Sequence, residues 1–354
     1  MKRKHDQNNI SSNVDNDALL QLVMAFDHVN RDQQTIVLPS GESTTKEQLL
    51  LKVIDLYPSY ANTYYQLALI LKAENRSSIT LNNGQSMTKQ QLYLKSIEYD
   101  PTSHSSYYNL ANTLSNGQSI TLNNGQSMTK QQLFLKSIEC NPTYSNSYHN
   151  LAITLSNGES ITLNNGTTMT QQQLYLKSIE SNPKNLYSYL NLATTLSNGE
   201  STTLNDGQSM TKQQLILKSI EYEPTYYLSY FSLANTLSNG ESITLNNGQS
   251  IIEQQLYLKS IECNPTYYRS YYNLATTLSN GESITLNDRT TMTEQQLYLK
   301  SIECNPTYSY SYHNLATTLS NGESITLNNG QSMTAQQLYL KSIECDPTQF
   351  QFIL

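Results

Sequence analysis

Apolar residues along this chain follow two periods in alternation. Tyr148, Leu151, Ala152 and Leu155 recur at the i, i+3, i+4, i+7 spacing that marks one face of a helix. The next apolar residues, Ile161 and Leu163 in Ser160–Met169, alternate with Ser and Thr, which is the two-residue period of a half-buried strand. Helical spacing then returns after Thr170. The pattern predicts a helix over about Tyr144–Leu155, a β-hairpin over Ser160–Met169 and a second helix over about Gln171–Ser181. The first helix is expected to stop at Gly158, where glycine supplies the left-handed backbone that closes a C-terminus.

In the hairpin, a three-residue loop Asn164-Asn165-Gly166 pairs Leu163 with Thr167 and Ile161 with Met169, so the apolar side chains share a face. A two-residue Asn-Gly turn is the alternative, and it would turn Met169 to the opposite face. The loop Pro39-Ser40-Gly41 favours the three-residue form, because proline suits the first turn position. Thr170 and Gln173 form a capping box for the second helix, with Met169 and Leu174 as a hydrophobic staple. The box recurs at Thr88/Gln91, Thr129/Gln132, Thr211/Gln214, Thr293/Gln296 and Thr334/Gln337.

These three parts repeat. Pro101, Pro142, Pro183, Pro224, Pro265, Pro306 and Pro347 stand 41 residues apart, and Pro58 precedes Pro101 by 43 because Lys72–Ser78 carries two extra residues. Eight helix–hairpin–helix units fill residues 17–347, between a disordered N-terminal tail (1–16) and a short C-terminal tail (348–354). The first unit is divergent, with a helix over Asp17–Val29, a hairpin over Thr35–Thr44 and a helix over Lys46–Tyr57. An array buries its core between neighbouring units, so the length of 354 residues sets no domain count. Two units depart from the pattern. Unit six has Ile252 at the cap, a local cost of about 1 kcal/mol, and unit seven has Arg289 where the other loops have glycine.

The unit resembles the tetratricopeptide repeat. Its first helix (helix A) offers Tyr148, Leu151, Ala152 and Leu155 where that family carries a large aromatic, a Leu and a small residue. Its second (helix B) offers Tyr175, Ser178 and a closing Pro183. The period of 41 exceeds the family's 34 by the seven residues that make room for the hairpin. The resemblance implies a mainly α fold, a right-handed helical-repeat solenoid with short β-hairpins along one rim, and a concave groove that holds peptides.

Eight copies allow an internal comparison. Tyr64, Tyr107, Tyr148, Tyr189, Tyr230, Tyr271 and Tyr312 are fixed, each followed by Leu-Ala, and are expected to form the continuous core. The recurrent Asn109, Asn150, Asn191, Asn273 and Asn314 suggest a hydrogen-bonded ladder between repeats. Three other positions of helix A vary. The neighbour of each fixed Tyr is Tyr65, Tyr108, His149, Leu190, Phe231, Tyr272 or His313. Three residues earlier stand Asn62, Ser105, Asn146, Tyr187, Leu228, Arg269 and Tyr310, and four residues later Leu69, Asn112, Ile153, Thr194, Asn235, Thr276 and Thr317. By the resemblance this stripe lines the groove, and its aromatic content suits binding anchors. The candidate partner-binding residues are Tyr65, Tyr108, Asn112, His149, Tyr187, Phe231, Arg269, Tyr272, Tyr310 and His313. For any single aromatic among them, packing on a neighbouring helix is the competing role. Family members with a carboxylate clamp use Lys and Arg at these positions. Only Arg269 is basic here, so no clamp is expected and a neutral segment with aromatic or aliphatic side chains is the expected partner.

Charge and chemistry narrow the picture further. A net charge of −7 with only 14% charged residues lacks the basic footprint of a nucleic-acid binder. No apolar run is long enough to span a membrane, and the basic N-terminus has no apolar h-region of a signal peptide. Cys140, Cys263, Cys304 and Cys345 occupy one equivalent site in different repeats, about 10 Å or more apart, which is too far for disulfides. They read as small hydrophobes in a reducing compartment, the cytoplasm. His149 and His313 lie four periods apart and cannot act together. Phosphate-loop, metalloprotease and nucleophile motifs are missing, so no enzyme activity and no cofactor or metal is expected. Pairs such as Lys136/Glu139 and Lys300/Glu303 read as a solvated face worth about 0.3 kcal/mol each.

The expected function is a non-catalytic scaffold or adaptor for a protein or peptide. A structural or self-assembling protein is one alternative, suggested by the apolar tail Phe350–Leu354, and a regulatory array acting with an enzyme on another chain is a second. Two strands span about 9.6 Å, close to the helix spacing of about 10 Å. Neighbouring hairpins are therefore expected to join into one sheet, with separate hairpins as the alternative.

Overall fold

The computed structural model describes residues 35–37 and 43–348, apart from Asn239 and Asn280. The expected helix Asp17–Val29, the Pro39-Ser40-Gly41 loop, the N-terminal tail and all of the C-terminal tail beyond Thr348 lie outside these residues. The described residues fall into two compact halves, up to Leu174 and from Tyr175 on, with the division inside the helix Gln171–Ser181.

The repeating unit is present in each half. In the first, helices A are Ala61–Ala73, His104–Ala111 and Ser145–Ile153, and helices B are Lys46–Leu56, Lys89–Tyr99 and Lys130–Cys140. In the second, helices A are Leu186–Thr194, Tyr227–Ala234, Tyr268–Thr276 and Ser309–Thr317, and helices B are Lys212–Tyr222, Glu253–Cys263, Glu294–Cys304 and Ala335–Cys345. Each helix packs against the helices next to it in sequence, within its own half. The fixed Tyr-x-x-Leu-Ala positions are the core: the tyrosines are 3–6 % exposed and the Leu-Ala pairs 0–2 %. A buried tyrosine needs a partner for its hydroxyl. Tyr64, Tyr148, Tyr271 and Tyr312 donate to the carbonyls of Pro58, Pro142, Pro265 and Pro306, at 2.8–3.2 Å. The recurrent proline loop and the fixed tyrosine are therefore one structural device.

Helix A ends earlier than its periodicity suggests. After Ile153 the chain tightens, with Thr154 N–H donating to Leu151 and Leu155 N–H to Ala152. Gly158 is left-handed as expected, at φ +86°. It sits in a separate turn, closed by Glu159 N–H donating to Ser156, beyond the helix end. The apolar stripe continues through Leu155, which is 7 % exposed, so periodicity alone overran the helix.

Each of the seven hairpins whose loop is described takes the three-residue form. Ile161 pairs with Met169, Leu163 N–H donates to Thr167, and Gly166 has φ +86°. In units two and four the middle residue of each strand is the more buried one, and the flanking Ser and Thr are more exposed. The expected continuous sheet does not form. Each of the eight hairpins is its own two-stranded sheet. Matching spacing was not enough, because each ribbon is held to helices instead. Its base runs into its own helix B, and its loop is fixed by a side chain to the preceding one. Asn82 donates to Asp55, Asn123 to Glu98, Asn164 to Glu139, Asn246 to Glu221, and Asn287 to Glu262. The glutamates thus do more than decorate a solvated face. Each holds the lysine three residues earlier, as Glu139 holds Lys136 at 2.5 Å, and also anchors the next hairpin. Together the lysine and the asparagine lower the carboxyl pKa of Glu139.

The capping box forms at Thr45, Thr88, Thr129, Thr211, Thr293 and Thr334. At Ile252 only half of it exists: Gln255 accepts from Ile252 N–H, and no side chain caps the helix. Arg289 adopts φ +74° in the turn position where the other described loops have left-handed glycine. Restoring the pattern with Ile252→Thr and Arg289→Gly should raise stability by about 1 kcal/mol each, one through the missing cap and the other through relieved backbone strain. Urea denaturation of the two single variants and the pair reads this directly; unchanged midpoints would show that neither departure weakens its unit.

Candidate binding surface

The variable stripe of helix A starts from a simple constraint. The fixed Tyr and Leu-Ala point into the core, so the residue after each Tyr points along the boundary between core and solvent. Tyr65, Tyr108, Phe231, Tyr272 and His313 are accordingly half-buried, while Asn112 and Arg269 are exposed. Tyr187 and Tyr310 stand out furthest, at 49 % and 43 %. His149 falls on the other side of the boundary. It is 8 % exposed, and burial pushes its imidazole pKa down to about 4. At the same position in unit five stands Leu190, also buried.

The expected asparagine ladder is present and runs through the stripe. Asn109 donates to the Tyr65 hydroxyl, Asn150 to the Tyr108 hydroxyl at 3.1 Å and to Asn112 at 2.8 Å, and Asn314 to the Tyr272 hydroxyl at 3.1 Å. Asn273 donates to Asn235 at 2.9 Å. Each bond crosses from one repeat to the previous one. The stripe tyrosines Tyr65, Tyr108 and Tyr272 are therefore orientated by the scaffold, and part of each ring serves packing.

A second set of aromatics completes the surface, and the series read from the sequence missed it. Besides Tyr60, which follows Pro-Ser, the residue before helix A is a tyrosine after Pro-Thr in four units: Tyr144, Tyr226, Tyr267 and Tyr308. That recurrence was the available signal. Each of these four rings meets an aromatic of the preceding repeat edge-on. Tyr144 meets Tyr108 at 5.2 Å, Tyr226 meets Tyr187 at 5.3 Å, Tyr267 meets Phe231 at 5.2 Å, and Tyr308 meets Tyr272 at 5.3 Å. Edge-to-face pairs of this kind contribute about 0.5–1.5 kcal/mol beyond their area.

In the second half these contacts link up into a strip. From Tyr187 the rings pass through Tyr226 and Tyr227 to Tyr267, which lies 4.7 Å from Tyr227. They continue through Tyr268 to Tyr308 at 4.6 Å, and on to Tyr310 at 5.4 Å. Arg269 lies against this strip, its guanidinium 5.7 Å from the Tyr268 ring centre and its Nε donating to the Tyr268 hydroxyl. Burial raises the phenol pKa values of Tyr226 and Tyr308 to about 12, so both remain neutral donors at any physiological pH. The surface is aromatic, hydroxyl-bearing and uncharged apart from one arginine.

The cysteines take no part. The thiols of Cys140, Cys263, Cys304 and Cys345 each donate to a proline carbonyl of the preceding repeat, and burial raises their pKa values. Among the described residues, no helix is long and apolar enough to cross a membrane.

The tetratricopeptide repeat family model matches seven consecutive stretches, residues 49–91, 92–132, 133–173, 174–214, 215–255, 256–296 and 297–337. Among solved structures, the chain is similar to yeast Tom70 at 15% identity and a TM-score of 0.42, over 77% of this chain and 50% of that one. It is similar to MamA at 17% identity and a TM-score of 0.32, over 51% of this chain and 90% of that one. A third similar structure is YrrB, a TPR protein with an unusual peptide-binding site, at 14% identity and a TM-score of 0.28, over 75% of this chain and 96% of that one. No curated protein sequence matches the chain.

Proposed function

The chain belongs to the tetratricopeptide repeat family, and from that premise we propose that it is a non-catalytic scaffold that holds a protein or peptide segment on the helix A face. The observation that carries this reading is the linked tyrosine strip of the second half, with Tyr187 and Tyr310 about half exposed at either end. Tyrosine gives a large contact area at low entropic cost, and its hydroxyl can satisfy a peptide backbone. The lone Arg269 supplies a cation for stacking and hydrogen bonding but no carboxylate clamp. The favoured partner is a neutral segment with aromatic or aliphatic side chains. In the first half, Tyr65, Tyr108 and Asn112 offer a shorter surface of the same character. His149, in the core, is left out of the contact set. Four thiols bonded to separate proline carbonyls suit a reducing compartment, and we place the protein in the cytoplasm.

Tyr272→Ala would damage packing as well as binding, because that ring is half-buried and holds Asn314. Tyr187→Ala and Tyr310→Ala are the cleaner probes. Affinity capture from cell extract should recover a partner with the wild-type chain, and titration of that partner should show each variant weakened about tenfold or more, as for aromatic hot spots. Circular dichroism melts should stay unchanged. Equal affinity in both variants would remove the strip from the binding surface.

A further inference from the structure

Unit two differs from its neighbours where helix A meets helix B. Its helix A runs for 13 residues, against 8 in unit three, and so carries Lys72 on its last turn. Lys72, Lys89, Gln90, Tyr93, Asn112 and Thr113 line a pocket of about 470 Å³, with Ser77, Thr88 and Asn109 filling its wall. No carboxylate is in this lining. The nearby acids are engaged elsewhere: Arg76 holds Glu47 through two hydrogen bonds and Glu74 through a third.

The floor of this pocket contains an unmet hydrogen bond. Tyr93 is 1 % exposed, and its hydroxyl has no hydrogen-bond partner. Its equivalents do have partners: the Tyr257 hydroxyl donates to Asn235 at 2.7 Å and accepts from Asn273, and the Tyr298 hydroxyl accepts from Asn314. Above Tyr93 the corresponding Asn109, on helix A of unit three, sends its amide to Tyr65 and to the Ser105 carbonyl, and its oxygen accepts from Lys72 at 3.4 Å. A buried phenol without a partner carries a desolvation cost that a ligand could offset.

We propose that this pocket binds a phosphate group, held between Lys72 and Lys89 and hydrogen-bonded by the Tyr93 hydroxyl. Two lysines match the charge of about −1.5 to −2 that a phosphate monoester carries near neutral pH. Lysine binds phosphate as a point charge. The Gln90 amide donates to the Thr113 hydroxyl at 3.1 Å, and that hydroxyl donates in turn to the Leu110 carbonyl, so the second N–H of Gln90 is the further donor on this wall. The corresponding place in unit three keeps Lys130 and Gln131 but measures only about 140 Å³, has no second lysine in its lining, and has Phe134 in place of Tyr93. The site thus differs from its counterpart in unit three, and it does not depend on the tyrosine strip.

Calorimetric titration of the full chain with inorganic phosphate tests it, with acetate and chloride at equal ionic strength as controls. Saturable binding of one phosphate is expected. Lys72→Met and Lys89→Met should each weaken it about tenfold or more, and Tyr93→Phe by about tenfold, as hydrogen bonds to a charged group do. Lys130→Met should leave it unchanged. Tyr93→Phe removes an unpaired hydroxyl, so its thermal stability should hold, which separates lost binding from lost folding. A phosphoserine peptide that binds more tightly than free phosphate would place the group on a modified side chain; equal binding would mean free phosphate. The proposal is overturned if phosphate does not bind saturably, if acetate binds as well, or if the lysine variants bind as the wild type does.

Discussion

Acidification from pH 7 to about pH 4 should destabilise the chain by up to about 3 kcal/mol through His149 alone. The imidazole is 8 % exposed, and burial depresses its pKa from 6.5 to about 4. A depressed pKa means that the unfolded state binds the proton first. The neutral, folded form is therefore fully favoured above pH 6.5, and that contribution is lost as the pH falls from there toward 4. Each pKa unit is worth 1.36 kcal/mol. Leu190 fills the equivalent position in unit five, so His149→Leu should fold well and lack this dependence. Urea denaturation of both proteins at pH 7 and pH 4 measures the difference. Parallel loss of stability in wild type and variant would rule out His149 as the titrating group.

A substitution that removes a hydrogen-bonding group should stabilise the first half. In most repeats a buried serine of helix B meets a buried serine of the next helix A: Ser96 with Ser106, Ser137 with Ser147, Ser178 with Ser188, Ser219 with Ser229, Ser260 with Ser270 and Ser301 with Ser311, all at 2.6–2.8 Å. At the start of the array the helix B residue is Val53, and the facing Thr63 hydroxyl is buried with no partner. Thr63→Val keeps the shape and removes the orphan, for an expected gain of about 1–2 kcal/mol, whereas Ser270→Ala should lose about 1–3 kcal/mol by stranding Ser260. The double change Ser260→Ala with Ser270→Ala should cost less than the sum of the two singles, since the second removes the group the first left unpaired. Chemical denaturation gives all four values. A destabilised Thr63→Val protein would mean that the threonine hydroxyl has a partner in solution.

These serine pairs show where sequence reading stops. Hairpin register could be read from sequence because a two-residue period and one glycine fix the face of every side chain. The asparagine ladder could also be read, because the same residue type returned at one phase of the repeat. The serines returned as faithfully, but what bonds to what depends on how two helices face each other across the proline loop, which periodicity does not encode. Helix length was overestimated because Leu155 continues the apolar stripe after the helix has tightened into a turn. The tyrosines before helix A were not legible in its periodicity because they occupy the N-cap position, one residue outside the helix. For the candidate surface, type and spacing grouped the variable positions of helix A, but only burial sorted them: Tyr187 and Tyr310 outward, His149 inward. The expected sheet failed for a related reason, since a spacing match says nothing about which hydrogen bonds compete.

That failure has an evolutionary corollary. A sheet running along the array would lock every unit to one strand length, because a slip in one ribbon would propagate to the next. Eight closed ribbons, seven of them tied to the preceding helix B by one asparagine side chain, leave every unit free to lengthen or shorten on its own. Unit two has done so with its two additional residues, and the pocket beneath Lys72 stands where they were absorbed. The hairpins act as expansion joints, and copies of one sequence can acquire separate chemistry without disturbing the stack that carries them.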